Sequence, residues 1–299
     1  MKKKDAVLLG PFVGEFYWEV ARFAPLLPKM VNKEFKDQKI TYIVFTREER
    51  FDLYGKYADI LVPLRIKGDY ENKFPNCFRL NSFSEEQYKK ITHKFHKKYE
   101  KEYNIIKHIT PFITKNQFLN KNQYPKNKLM FNYQPRSENY EIVKKYLPRN
   151  NKQLIVLAPR FRKGFRRNWD KWEEFYDLIH RDKQLMNRYN FIICGKKDEY
   201  ISDSKDRFLD INKMVVGNNS SLAGLLMVIL EKARLVCGSQ SAIPNMGLLY
   251  KVEVLEFGCQ KNLHTKTYNI HKTPVEFIVN KQYNIPAHKL FNRLKKKLT

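Results

Sequence analysis

Acidic side chains are scarce in this 299-residue chain: 31 Asp and Glu stand against 57 Lys and Arg, a formal net charge of +26. A Lys- and Asn-rich coding bias raises the basic count without any functional reason, but it does not by itself lower the acidic one. A field of this sign and size draws in nucleic acid, anionic lipid head groups or acidic glycans. Composition does not choose among the three. Cysteine is sparse too. Cys77, Cys194, Cys237 and Cys259 are widely separated, with no Cys-x-x-Cys pair and no Cys/His cluster at zinc spacing. A disulfide scaffold and a zinc ribbon are excluded, and a reducing, cytoplasmic setting is expected. Cys194 and Cys237 lie inside apolar runs and are expected as small core residues. Long apolar stretches are also missing. None approaches the roughly 20 residues needed to cross a bilayer, and the run after Lys4 is broken by Pro11, Gly14 and Glu15. A soluble protein is expected, one able to sit on a membrane surface.

Several nucleotide and catalytic signatures are absent: the Gly-x-x-x-x-Gly-Lys-Ser/Thr loop, Gly-x-Gly-x-x-Gly and the Gly-x-Ser-x-Gly elbow. There is no Asp-x-Asp pair to hold a divalent metal, so no metal ligands and no resident cofactor are expected.

What is present suits packed α/β structure. Apolar residues make up 42% of the chain and aromatics 14%, and the length accommodates two domains of roughly 150 residues. Residues 5–62 alternate strand and helix: a strand at 5–10, a helix over 14–35 kinked or ended by Pro25 and Pro28, and a strand at 39–45. A helical stretch near 47–57 and a strand at 59–64 follow. Over 88–103 a helical wheel puts Tyr88, Ile91, Phe95 and Tyr99 opposite Lys90, Lys94, Lys97 and Lys101. That lysine face reads equally as an ordinary solvated face or as a ridge for phosphates. Residues 111–150, rich in Asn, Lys and Pro, read as loops leading to the second domain. There, strands are expected at 153–158, 189–195, 235–239 and 252–257, with helices at 168–186, 222–232 and 286–298. The last, basic through Lys289, Arg293, Lys295, Lys296 and Lys297, is expected to pack across the first domain. The alternation calls for parallel sheets with right-handed crossovers, in domains of 1–148 and 149–299.

In open parallel sheets, ligands bind beyond the carboxyl ends of the strands, and three such ends carry suggestive residues. After the first strand comes Gly10-Pro-Phe-Val-Gly-Glu15-Phe-Tyr-Trp-Glu19. Glu15 at the start of the helix is a candidate general base, with Glu19 one turn on as the reserve. Acids also favour a first turn simply because they suit the helix dipole. After strand 153–158 come Arg160, Arg162, Lys163, Arg166 and Arg167 around Gly164. Like charges repel, so this is poor design for a structural loop, whereas guanidinium groups grip phosphate oxygens bidentately. The third end, Gly238-Ser239-Gln240-Ser241-Ala242, offers hydroxyls and backbone N–H groups at a helix N-terminus, either as an anion site or as ordinary caps.

The second half resembles the ADP-heptose–lipopolysaccharide heptosyltransferases, which have the glycosyltransferase-B fold. The matching pieces are Leu154-Ile-Val-Leu-Ala-Pro-Arg160, Arg167-Asn-Trp169, Phe191-Ile-Ile-Cys-Gly195, Ser221-Leu-Ala-Gly-Leu-Leu226, Leu235-Val-Cys-Gly-Ser-Gln-Ser241 and Val254-Leu-Glu-Phe-Gly258. In the first half only Gly14-Glu15 matches, resembling that family's Gly-Asp turn. The resemblance implies two Rossmann-like domains facing across a cleft, and sugar transfer with inversion from a soluble nucleotide-sugar, a UDP-sugar being the expected donor. Glu15 would be the base. Arg160, with Lys163 or Arg167, and Ser239, Gln240 and Ser241 would hold the diphosphate, while Gly195 and Glu256 would line the nucleoside. The chain departs from the family's Asp-(Ser/Thr)-Gly…His pattern at 239–245. Heptose and lipid A core therefore do not carry over. The positive field suggests DNA with hydroxymethylated bases as acceptor, with Lys94, Lys97, Lys101 and the 289–297 ridge on phosphates. An extruded base would stack on Phe16, Tyr17 or Trp18, for which ordinary core packing is the competing reading. The rivals are an envelope glycosyltransferase at an anionic membrane surface and a nucleic-acid-binding protein without activity.

Overall fold

Runs such as 6–9, 43–45 and 154–158 are apolar at successive positions. Strands of this kind must be covered on both faces, which is the condition of a parallel sheet between helices. The computed structural model describes residues 3–12, 16, 19–36, 38–64, 85–110, 133–160, 168–195, 207–215, 221–259 and 269–299. They form two units, Met1–Arg136 and Ser137–Thr299. The division falls earlier than the 148/149 boundary expected from sequence.

In the first unit, β1 (Lys4–Leu9) leads through a π-helical turn, Glu19–Phe23, into α1 (Ala24–Phe35). Then come β2 (Thr41–Thr46), a 3₁₀ turn at Glu48–Leu53, β3 (Ile60–Pro63), α2 (Glu85–Tyr99) and β4 (Tyr103–Ile109). The sheet order is β3-β2-β1-β4, all parallel. Pro25 sits in the first turn of α1, where its missing N–H costs nothing, and Pro28 lies inside the helix. Strand β4 was hidden from the sequence pattern. Its register slips between Ala6 and Val7 of β1, so that Ile106 is skipped and the side-chain alternation is broken. Phe45 carries the contact to α2, its ring centroid lying 4.6 Å from that of Phe95 and 5.6 Å from that of Tyr99.

The second unit opens with α3 (Ser137–Tyr146), followed by β5 (Gln153–Ala158), α4 (Trp172–Arg181), α5 (Lys183–Arg188), β6 (Tyr189–Ile193), β7 (Leu209–Asp210) and α6 (Ile211–Met214). After these come α7 (Leu222–Lys232), β8 (Ala233–Ser239), α8 (Ala242–Leu249), β9 (Glu253–Gly258), β10 (Val275–Val279) and α9 (Ala287–Leu298). The order β10-β9-β8-β5-β6-β7 is parallel throughout. Helix α3 lies where loops were expected, and it belongs here because it packs on α7; the Tyr140 hydroxyl donates to Glu231 at 2.9 Å. The single helix expected over 168–186 is two. Asp182 ends α4 and its carboxylate caps α5, accepting from the Leu185 amide at 3.0 Å. Helix α7 is buried from Ala223 to Leu230, in keeping with its apolar circumference.

The core of this unit is aromatic. Trp169 and Trp172 are fully buried, 4.8 Å apart edge to face, with Phe257 5.0 Å from Trp169. Cys237 is buried in it and Cys194 is buried just after β6, both as small apolar residues, and burial holds both thiols well above their ordinary range. Helix α9 buries Ala287, Leu290, Leu294 and Leu298 and packs on α4, a contact within its own unit. Among the described residues no helix is long and apolar enough to cross a membrane.

Candidate functional site

Each sheet has a point where its crossovers depart in opposite directions, which opens a crevice at the carboxyl ends of the flanking strands. In the second unit this point lies between β5 and β8, where Ala158 pairs with Gly238. The backbones are very close there. A Cβ at Gly238 would come within 2.6 Å of both the Cβ and the carbonyl oxygen of Ala158, so glycine is required.

The residues after these strands converge. Arg160 Nη1 donates to the Gln240 carbonyl at 2.8 Å. The Gln240 amide donates to the Phe257 carbonyl at 2.9 Å, and its Oε1 accepts from the Tyr283 hydroxyl at 3.3 Å. Gln240 is therefore fixed by its own strand end, by β9 and by the segment leading into α9. Next to it, Ser241 precedes α8 in extended conformation and makes no side-chain cap bond. The Ser239 and Ser241 hydroxyls and Asn245 Oδ1 have no hydrogen-bond partner among the described residues, although all three atoms are buried. Asn245 Nδ2 donates to the Ser241 carbonyl at 2.8 Å, so the side chain is oriented as well as enclosed. Buried polar atoms left without partners are costly. Combined with the open N–H groups of a helix start and a guanidinium, they suit a tetrahedral anion.

The structure thus brings together Arg160, Ser239, Gln240 and Ser241. It adds Asn245 and Tyr283, which carry no sequence signal because their partners are local or distant backbone and amide groups. Lys163 and Arg167 lie outside the described residues. Gly195 and Glu256 are not brought together. Gly195 follows β6 and its carbonyl accepts from Asn212 Nδ2 at 3.0 Å, whereas Glu256 is buried on β9, three strands away in the sheet order. At about 4.8 Å per strand this is about 14 Å.

The first unit's switch point lies between β1 and β4. Gly10 leaves β1 at φ 90°, a left-handed conformation that glycine tolerates. Its amide donates to the Ile109 carbonyl at 2.9 Å, and its carbonyl accepts from His108 Nε2 at 2.6 Å. Burial lowers the His108 pKa, only partly opposed by that bond, so the ring is neutral at pH 7 with its proton on Nε2. Glu15 and Trp18 lie outside the described residues, as does Tyr17.

Glu19 is described, and its surroundings do not suit a reserve base. It is fully buried, with Oε1 accepting from Thr46 Oγ1 at 2.8 Å and from the Tyr54 hydroxyl, and Oε2 facing Arg50 Nη1 at 2.5 Å. Burial, then the Glu19 charge, push the Tyr54 phenol well above its ordinary value, so it remains a donor. With both oxygens engaged and no solvent access, Glu19 is an anchor. Lys94, Lys97 and Lys101 are exposed on and just after α2. The basic ridge of α9 is largely committed within its unit: Lys295 Nζ lies 2.6 Å from Asp182, Lys297 Nζ 2.7 Å from Glu253, and Arg293 3.5 Å from Glu276.

No protein-family model and no curated protein matches the chain. Solved structures do. A glycosyl transferase family 9 protein from Veillonella parvula DSM 2008 aligns with a TM-score of 0.55 at 10% identity, covering 100% of this chain and 98% of its own. ADP-heptose lipopolysaccharide heptosyltransferase II of E. coli gives 0.56 at 11% identity, covering 99% and 98%. E. coli heptosyltransferase WaaC, solved with ADP-2-deoxy-2-fluoro heptose, gives 0.50 at 10% identity, covering 98% and 99%. At these identities the likeness is one of fold. The two parallel sheets are those of the glycosyltransferase-B class, as the sequence resemblance implied.

Proposed function

We propose that the chain is a glycosyltransferase that uses a nucleoside-diphosphate sugar. The observation that carries this reading is the cluster at the β5/β8 switch point, where Arg160, two buried serine hydroxyls without described partners and the start of α8 converge. Such a group of donors suits a diphosphate. The nucleotide-sugar enzymes that share the fold add to it.

In the proposed reaction Glu15 accepts the proton of an acceptor hydroxyl, and that oxygen forms a bond to the anomeric carbon. The bond from this carbon to the diphosphate oxygen breaks, and the nucleoside diphosphate leaves with the electron pair, its charge met by Arg160 and the α8 amides. Attack from the face opposite the leaving group inverts the anomeric centre. A UDP-sugar is the expected donor, as yet without a residue that selects uracil. A thermal-shift series with UDP, ADP, GDP and dTDP tests the donor site: the matching diphosphate at 100 times its Kd adds about 2.7 kcal/mol. No shift with any of them would sink the donor-site reading. Glu15→Gln should abolish transfer and leave that shift intact.

The acceptor is proposed to be polyanionic, and hydroxymethylated DNA is the specific candidate. The support is the net charge of +26 and the exposed Lys94, Lys97 and Lys101. Replacing all three by Glu should flatten the salt dependence of DNA binding by about 0.9 per lost phosphate contact in log–log slope. The envelope reading is favoured by a different observation, the name of the E. coli fold neighbour as a lipopolysaccharide heptosyltransferase. Offering radiolabelled UDP-sugar with hydroxymethylated DNA and with lipid-linked glycan separates the two. Label in the glycan alone overturns the DNA acceptor.

A further inference from the structure

Gln240 stands between β8 and α8, and its backbone is fully committed. The amide donates to the Phe257 carbonyl at 2.9 Å, and the carbonyl accepts from Arg160 Nη1 at 2.8 Å. Gln240 therefore has no backbone N–H to offer a ligand. Its side chain is held by the oxygen. Oε1 accepts from the Tyr283 hydroxyl at 3.3 Å and from the Cys259 thiol at 3.6 Å. The side chain also lies in a cradle that needs glycine, because a Cβ at Gly258 would come within 2.8 Å of both Cβ and Oε1 of Gln240. Nε2 is left without a partner among the described residues. The residue is 7% exposed, yet Nε2 is not sealed in as Asn245 Oδ1 and the Ser239 hydroxyl are.

Tyr283 is strained in this arrangement. It is buried and sits at φ 53°, a left-handed backbone that a bulky residue adopts only under constraint. Such residues cluster at ligand sites. A phenol and a thiol can each give one proton, and an amide oxygen can take both. With its oxygen engaged twice, the amide cannot exchange its two ends. The group left to act is a neutral N–H donor, on the same residue whose carbonyl holds Arg160. We propose that Gln240 binds the donor diphosphate through its side chain, Nε2 donating to a phosphate oxygen, and that Tyr283 and Cys259 are positioning residues that present it. This inference rests on the reading of the cluster as the donor site. Neither Tyr283 nor Cys259 needs to touch the ligand.

Calorimetric titration with UDP, ADP, GDP, dTDP and inorganic pyrophosphate tests the contact. Gln240→Met keeps both backbone bonds and the side-chain volume. It should weaken the Kd of every diphosphate that the parent binds by about tenfold or more, pyrophosphate included. Tyr283→Phe deletes one hydroxyl and should weaken it about threefold. In the Gln240→Met background Tyr283→Phe should have no further effect, because its influence runs through that side chain. A merely structural role would leave the two losses additive. The hold on the amide is read separately, by N-ethylmaleimide labelling of Cys259 followed by mass spectrometry. Both variants should be labelled there about fivefold faster, with the buried Cys194 and Cys237 as internal references. Unchanged diphosphate affinity in Gln240→Met overturns the contact. Additive losses, or unchanged labelling in Tyr283→Phe, overturn the positioning role. Should Gln240→Met fail to fold, Gln240→Glu decides by the same titration, since it keeps an acceptor for Tyr283 and Cys259 but has no N–H. A parent that binds none of these probes would overturn the donor-site reading itself, and labelling would still decide whether Tyr283 holds the amide.

Discussion

The two switch points place polar groups in opposite ways. At and beside the first, polar groups are matched to one another: Gly10 with Ile109 and His108, and, on the β2 side of β1, Glu19 with Arg50, Thr46 and Tyr54. At the second, the frame is equally fixed, through Gln240 and Asn245, yet the Ser239 and Ser241 hydroxyls have no partner among the described residues. Closed networks hold a single geometry, while donors left open are made to receive something from outside. The contrast is between a closed network in the first unit and buried hydroxyls without described partners in the second, on which the proposed donor site rests.

The contrast breaks most severely if one member of the closed network is removed. Arg50→Ala strands the Glu19 charge in the interior, which costs about 3–5 kcal/mol. Calorimetry should show a melting transition lower by about 10 °C. A change of only a degree or two would mean that the pair is solvated and the network is not closed. An intermediate effect is expected at the open site. Arg160→Ala loses a charged donor worth about 1.5–3 kcal/mol, a 10- to 100-fold weaker Kd for the diphosphate by calorimetric titration. The melting point without ligand should barely move. Equal affinity would place the diphosphate elsewhere.

The smallest effect concerns acid titration of the second unit, where Lys295 and Lys297 bond Asp182 and Glu253. The Lys295 bond lowers the Asp182 pKa, and for Glu253 burial raises it but the Lys297 and Arg234 bonds lower it further. A depressed folded-state pKa means that this stability is present above the unfolded values of 3.8 and 4.5 and is lost as pH falls below them. Because both lysine pairs are partly exposed, the slope should be shallow and should weaken in salt. Lys295→Met with Lys297→Met should remove most of the slope between pH 5 and about 3. An unchanged slope would assign it to other carboxylates.

Much of the second unit was legible in advance. Strands β5, β6, β8 and β9 each carry a short apolar stretch, interrupted in β9 by Glu256, with glycine or serine closing all but β5, and Ser221 marks the start of α7 by a cap that the structure contains, its hydroxyl accepting from the Gly224 amide at 2.9 Å. Strand β4 and helix α3 were not legible. The first has a bulge that breaks the period, and the second lies in a polar, proline-bearing stretch and packs on α7, a partner distant in the chain. The same holds at the site. Arg160 stood out as a cation at a strand end, but the burial of Glu19 depends on Arg50 and Tyr54, which are far along the chain and carry no motif. The lysine ridge of α9 likewise looked like a phosphate surface until Asp182, Glu253 and Glu276 were found against it.

By itself the sequence determined the βα alternation, the parallel sheets and the strand ends at which charge collects. These follow from local periodicity and from the one-residue signals of caps, prolines and glycines. Only the tertiary structure decided which charges are available. Whether a carboxylate or an ammonium is an open group or a satisfied one depends on partners brought from distant segments, and ionic pairing, unlike hydrophobic period, leaves no regular trace along the chain.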